Sequence, residues 1–184
     1  RIQSVRNNWT SSASCSKRKN KLTYQDKVCI ISGATDGIGK EAAVNLAEMG
    51  FTLGLVGRNS EKISATQYEI TNTTGNENIT FFQADLSLME QVRRLAGEIQ
   101  TTFNRIDVLL NNAGAYIADF RKTEEGFENT FALNHLSYFL LTDLLLEIIK
   151  ATKNSRIVNV ASAAHLNTNL NFDKLQGFDG YRGW

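Results

Sequence analysis

From Asp26 onward, apolar and polar positions follow two alternating rhythms. Val28-Cys29-Ile30-Ile31 is a short, unbroken apolar run that leads into a glycine-rich turn. Residues 38–49 then repeat apolar side chains at helical spacing, with Ile38, Ala42, Leu46 and Met49 on one side and Gly50 as the C-cap. A second strand is expected over 51–56 and a polar helix over 60–72, ending near Gly75. A third strand over 79–83, a third helix over 88–103 and a fourth strand over 106–110 follow. A long helix is predicted over 124–150, very apolar toward its end, and a fifth strand over 156–160.

Strands alternating with helices at this spacing predict βαβ units around a parallel sheet. The strand runs are apolar throughout, which suits strands covered on both faces. The expected fold is therefore α/β: a Rossmann-type doubly wound parallel sheet in three α/β/α layers, breaking off after about the fifth strand. Residues 1–24 show no such periodicity. They are rich in Ser and Asn and carry the basic cluster Lys17-Arg18-Lys19 with Lys21, so a flexible tail is predicted there and a single nucleotide-binding domain over 25–184.

Composition narrows the function classes. A chain of 184 residues is long enough for one domain with a substantial core. A net charge of +1 gives no electrostatic case for a nucleic-acid partner or an anionic membrane surface. No apolar run approaches the length of a transmembrane helix. Two cysteines make no disulfide framework, and Cys29, within the first strand, reads as a small buried hydrophobe.

Five informative motifs fall at the carboxyl ends of predicted strands, where doubly wound sheets bind their ligands. After the first strand comes Ser32-Gly33-Ala34-Thr35-Asp36-Gly37-Ile38-Gly39. Gly33 permits the tight turn, Gly37 close approach of backbone to a pyrophosphate, and Gly39 close packing of helix on strand. The helix N-terminus offers free N–H groups to the phosphates. After the second strand comes Gly57-Arg58-Asn59, after the third Asp85-Leu86, and after the fourth Asn111-Asn112-Ala113-Gly114. Asn134 lies in the long helix, and the fifth strand, Arg156-Ile157-Val158-Asn159-Val160-Ala161, ends at Ser162. Asp85 is also readable as a helix N-cap, and Asn111 to Gly114 as a simple turn.

The spacing Ser-Gly-x-x-x-Gly-x-Gly, with the later motifs in the same order, resembles the short-chain dehydrogenase/reductase family over about residues 26–184. The marks Gly57-Arg58-Asn59, Asn134-His135-Leu136, Ser162-Ala163-Ala164-His165 and Leu175-Gln176-Gly177 are most similar to its retinol dehydrogenase-like group. The resemblance implies hydride transfer between a nicotinamide and an alcohol or carbonyl, with a retinoid, a steroid or another lipophilic molecule as substrate. It implies cofactor contacts from Ser32, Gly33, Thr35, Asp36, Gly37, Ile38, Gly39, Arg58, Asp85, Leu86, Asn112, Ala113 and Gly114. Ser162 would hydrogen-bond the substrate oxygen, and Asn134 would hold a water of the proton relay.

A guanidinium at the end of the second strand pairs well with a 2′-phosphate, so NADP(H) is favoured over NAD(H). Asp36, within the loop, carries the wrong charge for holding phosphate and works against that preference. The family's Tyr-x-x-x-Lys pair is absent: Tyr181 is the only tyrosine after Ser162, and no lysine follows it. The sequence therefore reads as a C-terminally incomplete enzyme, with a non-catalytic nucleotide-binding or interaction protein as the alternative. A small-molecule partner, a place in the cytoplasm or on the cytosolic face of a membrane, and a homo-oligomer for a full-length form are the accompanying expectations.

Overall fold

The computed structural model of the chain describes residues 24–163, 166 and 171–177. Five strands form one parallel sheet: β1 (Val28–Ser32), β2 (Thr52–Gly57), β3 (Ile79–Gln83), β4 (Val108–Asn111) and β5 (Arg156–Asn159), in the order β3-β2-β1-β4-β5. Between them run α1 (Gly37–Glu48), α2 (Ser60–Thr74) and α3 (Met89–Thr102). A broken helical segment of α4 (Asn129–Phe131), a π turn (Ala132–Leu136), α5 (Ser137–Leu144) and α6 (Leu146–Ala151) precedes β5. The doubly wound sheet expected from the apolar pattern is therefore present.

Alternate strand residues point to opposite faces, and this divides the core in two. Cys29 and Ile31 of β1, with Leu53 and Leu55 of β2, pack beneath Ala43 and Ala47 of α1 and Ile70 of α2. Val28 and Ile30 face the other way, with Leu109 of β4, against Val92, Leu95 and Ile99 of α3 and Leu141, Leu145 and Ile149 of the later helices. Burial pushes the Cys29 thiol up to about 12, with the Asp107 carboxylate adding to the shift, so it stays protonated as the small core hydrophobe that was expected.

Below β1 and β4, Asp107 ties two chain segments together. Its carboxylate accepts the Val28 N–H at 2.9 Å, Lys27 Nζ at 2.8 Å, and Arg105 Nε and Nη2 at 2.8 and 2.7 Å. Burial alone would raise its pKa, but Arg105, Lys27 and the Val28 N–H outweigh that and hold the carboxyl below its ordinary value.

Several expectations are corrected. The buried stripe of α1 is Gly39, Ala43 and Ala47, one residue round from the expected face, while Ile38 is 70% exposed. Small side chains bring α1 close to the sheet, which leaves the larger ones at the flanks. The long helix begins at Asn129 and not at 124: Gly126 has φ +88°, and Glu128 caps the start by accepting the N–H groups of Thr130 and Phe131 at 2.8 and 2.6 Å. Tyr24, at the edge of the predicted tail, stacks on Phe51 at 4.8 Å and donates its N–H to Met49 O at 3.0 Å. The rest of the predicted tail lies outside the described residues, as do His165 and Tyr181. Along β5 the apolar Ile157 and Val158 are substantially exposed.

Candidate functional site

The strand order reverses between β1 and β4, because β2 and β3 build outward on one side and β5 on the other. Carboxyl ends of strands at such a switch point form a crevice. Here the turn after β1 meets the turn after β4 at close range. Gly33, at φ +69°, brings its backbone so near that a Cβ on it would lie 2.7 Å from Ala113 Cα. Side chains lock the two turns together. Ser32 Oγ accepts the N–H groups of Asn112 and Ala113 at 2.9 and 3.0 Å. Asn112 Nδ2 donates to Ser32 O and Gly33 O at 3.0 and 3.1 Å.

Gly39 completes this junction, since a Cβ there would lie 2.2 Å from Gly33 O and 2.3 Å from Asn112 Nδ2. Gly37, by contrast, faces open space, with nothing within 4 Å of an added Cβ. The loop thus presents backbone to a cleft of about 770 Å³ walled by Gly33, Thr35, Asp36, Gly37, Arg58 and Asp85, among others. Ser32 and Gly39 stand behind that wall. Leu86, Asn112, Ala113 and Gly114 line it, and Ile38 sits at its end.

Asp36 is the N-cap of α1: its Oδ1 accepts the Gly37 N–H at 2.9 Å, and its Oδ2 receives Lys62 Nζ at 2.9 Å. The Lys62 hydrogen bond, followed by that of Gly37, lowers the Asp36 pKa. Arg58 is exposed, with Nη1 3.7 Å from Asp85 Oδ2, an ion pair too long for a hydrogen bond. Asp85 does not cap α3. Its Oδ1 instead accepts the N–H and the hydroxyl of Ser87 at 3.0 and 2.7 Å, closing a local turn. The first N–H groups of α3 are taken by Glu125, from Met89 at 2.7 Å and Glu90 at 2.8 Å, so the loop after β4 is pinned beside Asp85. Glu125 and Lys62 escape the sequence reading because each works through a partner more than 20 residues away.

A second, larger cleft of about 1390 Å³ continues from the first, sharing Ile38, Asn112, Gly114, Ala115 and Val160 with it. Its walls include Tyr116, Asn134, Tyr138, Phe139, Leu146 and Ser162. Asn134 lies within the π turn, a helical irregularity that recurs at functional sites. Its amide makes a two-way link to the Ala115 backbone, donating to Ala115 O at 2.9 Å and accepting the Ala115 N–H at 3.0 Å. The side chain holds the loop after β4 in place and is exposed, not buried among the neighbouring apolar residues. Asn111, fully buried, donates to Thr142 Oγ1 at 3.0 Å and Asn159 Oδ1 at 2.9 Å, which ties β4 to α5 and β5. Ser162 follows the end of β5 and is exposed on the larger cleft. Desolvation raises the Tyr138 pKa there and keeps its hydroxyl protonated.

One groove therefore runs from a charged corner at Arg58 to a partly apolar end at Ser162. A glycine loop at a switch point, opening onto a helix N-terminus, defines a dinucleotide-binding α/β protein. The family model for short chain dehydrogenases matches residues 27–173, and the chain belongs to that family. It is 40% identical over 156 residues to Retinol dehydrogenase 13 of Homo sapiens, a match covering 85% of this chain and 47% of that protein. Retinol dehydrogenase 11 of Homo sapiens is 42% identical over 151 residues, covering 82% of the chain and 48% of the relative. The chain thus spans about half the length of these curated relatives. Among solved structures, a short chain dehydrogenase of Escherichia coli CFT073 complexed with NADPH matches with a TM-score of 0.70 and 29% identity, over 86% of this chain and 68% of that one. No helix among the described residues is long and apolar enough to cross a membrane.

Proposed function

We propose that the chain is the cofactor-binding part of an NADP(H)-dependent oxidoreductase that interconverts a lipophilic alcohol and its carbonyl, with a retinoid or steroid as the type of substrate. The single observation that carries this reading is the continuous groove. One end has backbone N–H groups and a guanidinium suited to phosphates, and the other has Tyr116, Phe139 and Leu146 beside Ser162.

The residues present fit a dinucleotide. A side chain is missing where a pyrophosphate would approach, at Gly37, while Gly33 and Gly39 keep the two turns and the helix terminus close together beneath it. Arg58 would hold the 2′-phosphate, and Asp85 and Leu86 would flank the adenine. Asn112 to Gly114 would support the nicotinamide side. When bound, the cofactor supplies or accepts the hydride. Ser162 donates a hydrogen bond to the substrate oxygen and polarises the carbonyl. Asn134, through Ala115, sets the loop against which a nicotinamide would pack, and its place in the π turn suits the water-holding role. A location in the cytoplasm or on the cytosolic face of a membrane belongs to the same proposal.

The test is turnover by the protein expressed from its own transcript. All-trans-retinal reduction with NADPH is expected, and Ser162→Ala should remove most of it, about 10²-fold or more. Undiminished turnover in that variant would dismiss Ser162. Saturable NADPH binding with no turnover on any carbonyl would favour the non-catalytic reading instead.

A further inference from the structure

Asp36 poses an electrostatic problem for the cofactor assigned above. It lies on the wall of the same cleft as Arg58, and the segments that carry them meet: a Cβ on Gly57, next to Arg58, would lie 2.6 Å from the methyl of Thr35, next to Asp36. A carboxylate held ionised at that corner repels a phosphate. Arg58 is itself shared with Asp85. The cleft lining holds Arg58 and Arg121 against Asp36 and Asp85, so its charged side chains offer no net positive charge to a doubly charged group.

Lys62 corrects the balance. Asn59 caps α2 by accepting the Lys62 N–H at 2.9 Å, and this fixes the first turn of that helix. From there the Lys62 side chain reaches back across the corner to Asp36, 26 residues earlier in the chain, at 2.9 Å. The pair is not a structural staple. Asp36 is 80% and Lys62 59% exposed, and exposed pairs contribute little to stability. The cap of α1 does not need it either, since Asp36 Oδ1 binds the Gly37 N–H independently. What the pair does change is the charge met by a ligand at the end of β2.

We propose that Lys62 is a specificity-determining residue for a 2′-phosphorylated dinucleotide, acting by cancelling the Asp36 carboxylate beside the phosphate position. The inference rests on the NADP(H) reading of the Arg58 corner. With Lys62 in place, Arg58 faces the phosphate without a competing anion from the loop. Without it, the loop rejects the phosphate but tolerates a bare ribose hydroxyl, which carries no charge.

The experiment is fluorescence titration of NADPH and NADH into the 184-residue chain. It compares wild type with Arg58→Ala, Lys62→Met and the double variant Lys62→Met/Asp36→Asn. Lys62→Met should weaken NADPH about tenfold and leave NADH within about twofold, the scale of one partly screened charge at close range. The double variant should recover NADPH binding, because asparagine still caps the helix without the charge. Raising the salt concentration should narrow the gap between wild type and Lys62→Met. Unchanged NADPH binding in Lys62→Met, or equal losses for both cofactors, would overturn the proposal. If Arg58→Ala loses NADPH while Lys62→Met keeps it, the Lys62 role fails and the cofactor assignment stands. If wild type binds NADH as tightly as NADPH and Arg58→Ala changes neither, the assignment itself fails, and the Lys62 role with it.

Discussion

Replacing Gly39 by alanine should cost far more than one methyl group suggests. The added Cβ would sit 2.2 Å from Gly33 O and 2.3 Å from Asn112 Nδ2, roughly 1 Å inside ordinary carbon contacts. Neither neighbour is a loose side-chain end. Gly33 O is backbone in a turn already pressed on Ala113, and the Asn112 amide holds two carbonyls across the β1–β4 junction. Moving that amide forfeits two hydrogen bonds worth about 1 kcal/mol each. The overpacking itself costs about 1–3 kcal/mol. Alanine returns about 1 kcal/mol in helix propensity. A net loss of about 2–4 kcal/mol follows, a large share of a stability near 5–15 kcal/mol. Gly97→Ala is the matched control: it lies in α3, and nothing stands within 4 Å of its added Cβ. That variant should gain up to about 1 kcal/mol. Urea unfolding followed by circular dichroism measures both midpoints. Equal midpoints for Gly39→Ala and wild type would refute the close-junction picture, and so would a Gly39→Ala loss matched by Gly97→Ala.

Two further outcomes are expected. Asp107→Asn should destabilise the fold by about 2–3 kcal/mol at neutral pH, through lost charge-assisted bonds to Lys27 and Arg105. Because the folded pKa of Asp107 is lowered, that contribution is complete above the ordinary aspartate pKa of about 4 and disappears as pH falls through the folded value. Urea midpoints of the pair should therefore converge in acid; a constant gap would contradict the assignment. Asn134→Ala should loosen the loop at Ala115 through the loss of two hydrogen bonds. Amide exchange at Ala115 should accelerate by about tenfold or more, and unchanged exchange would show that the loop holds without Asn134.

The parts of this molecule legible in the sequence are those governed by local pattern. Apolar runs marked β1 to β4 because both sheet faces are covered there, β5 was legible from its apolar run although its residues are exposed, and Gly75 announced the end of α2 because a left-handed residue is needed there. The glycine loop and Asn111 to Gly114 were legible as motifs. Long-range pairings were not. The capping of α3 by Glu125, the grip of Asn134 on Ala115 and the pairing of Lys62 with Asp36 join segments that only the fold brings together. Helix α1 misled for another reason. Its buried positions, Gly39, Ala43 and Ala47, bring it close to the sheet, so the exposed Ile38 lines the groove and not the core. The start at Asn129 was hidden because its cap is Glu128, whose carboxylate folds back on the helix, where shorter side chains usually serve.

The central claim is that the corner after β2 selects a 2′-phosphate. The most direct measurement is the ratio of NADPH to NADH dissociation constants for wild type and Arg58→Ala. Wild type should prefer NADPH, and Arg58→Ala should weaken NADPH by about 10–100-fold, as expected for a charged hydrogen-bond pair, while leaving NADH nearly unchanged. Equal losses for the two cofactors, or a wild-type preference for NADH, would contradict it.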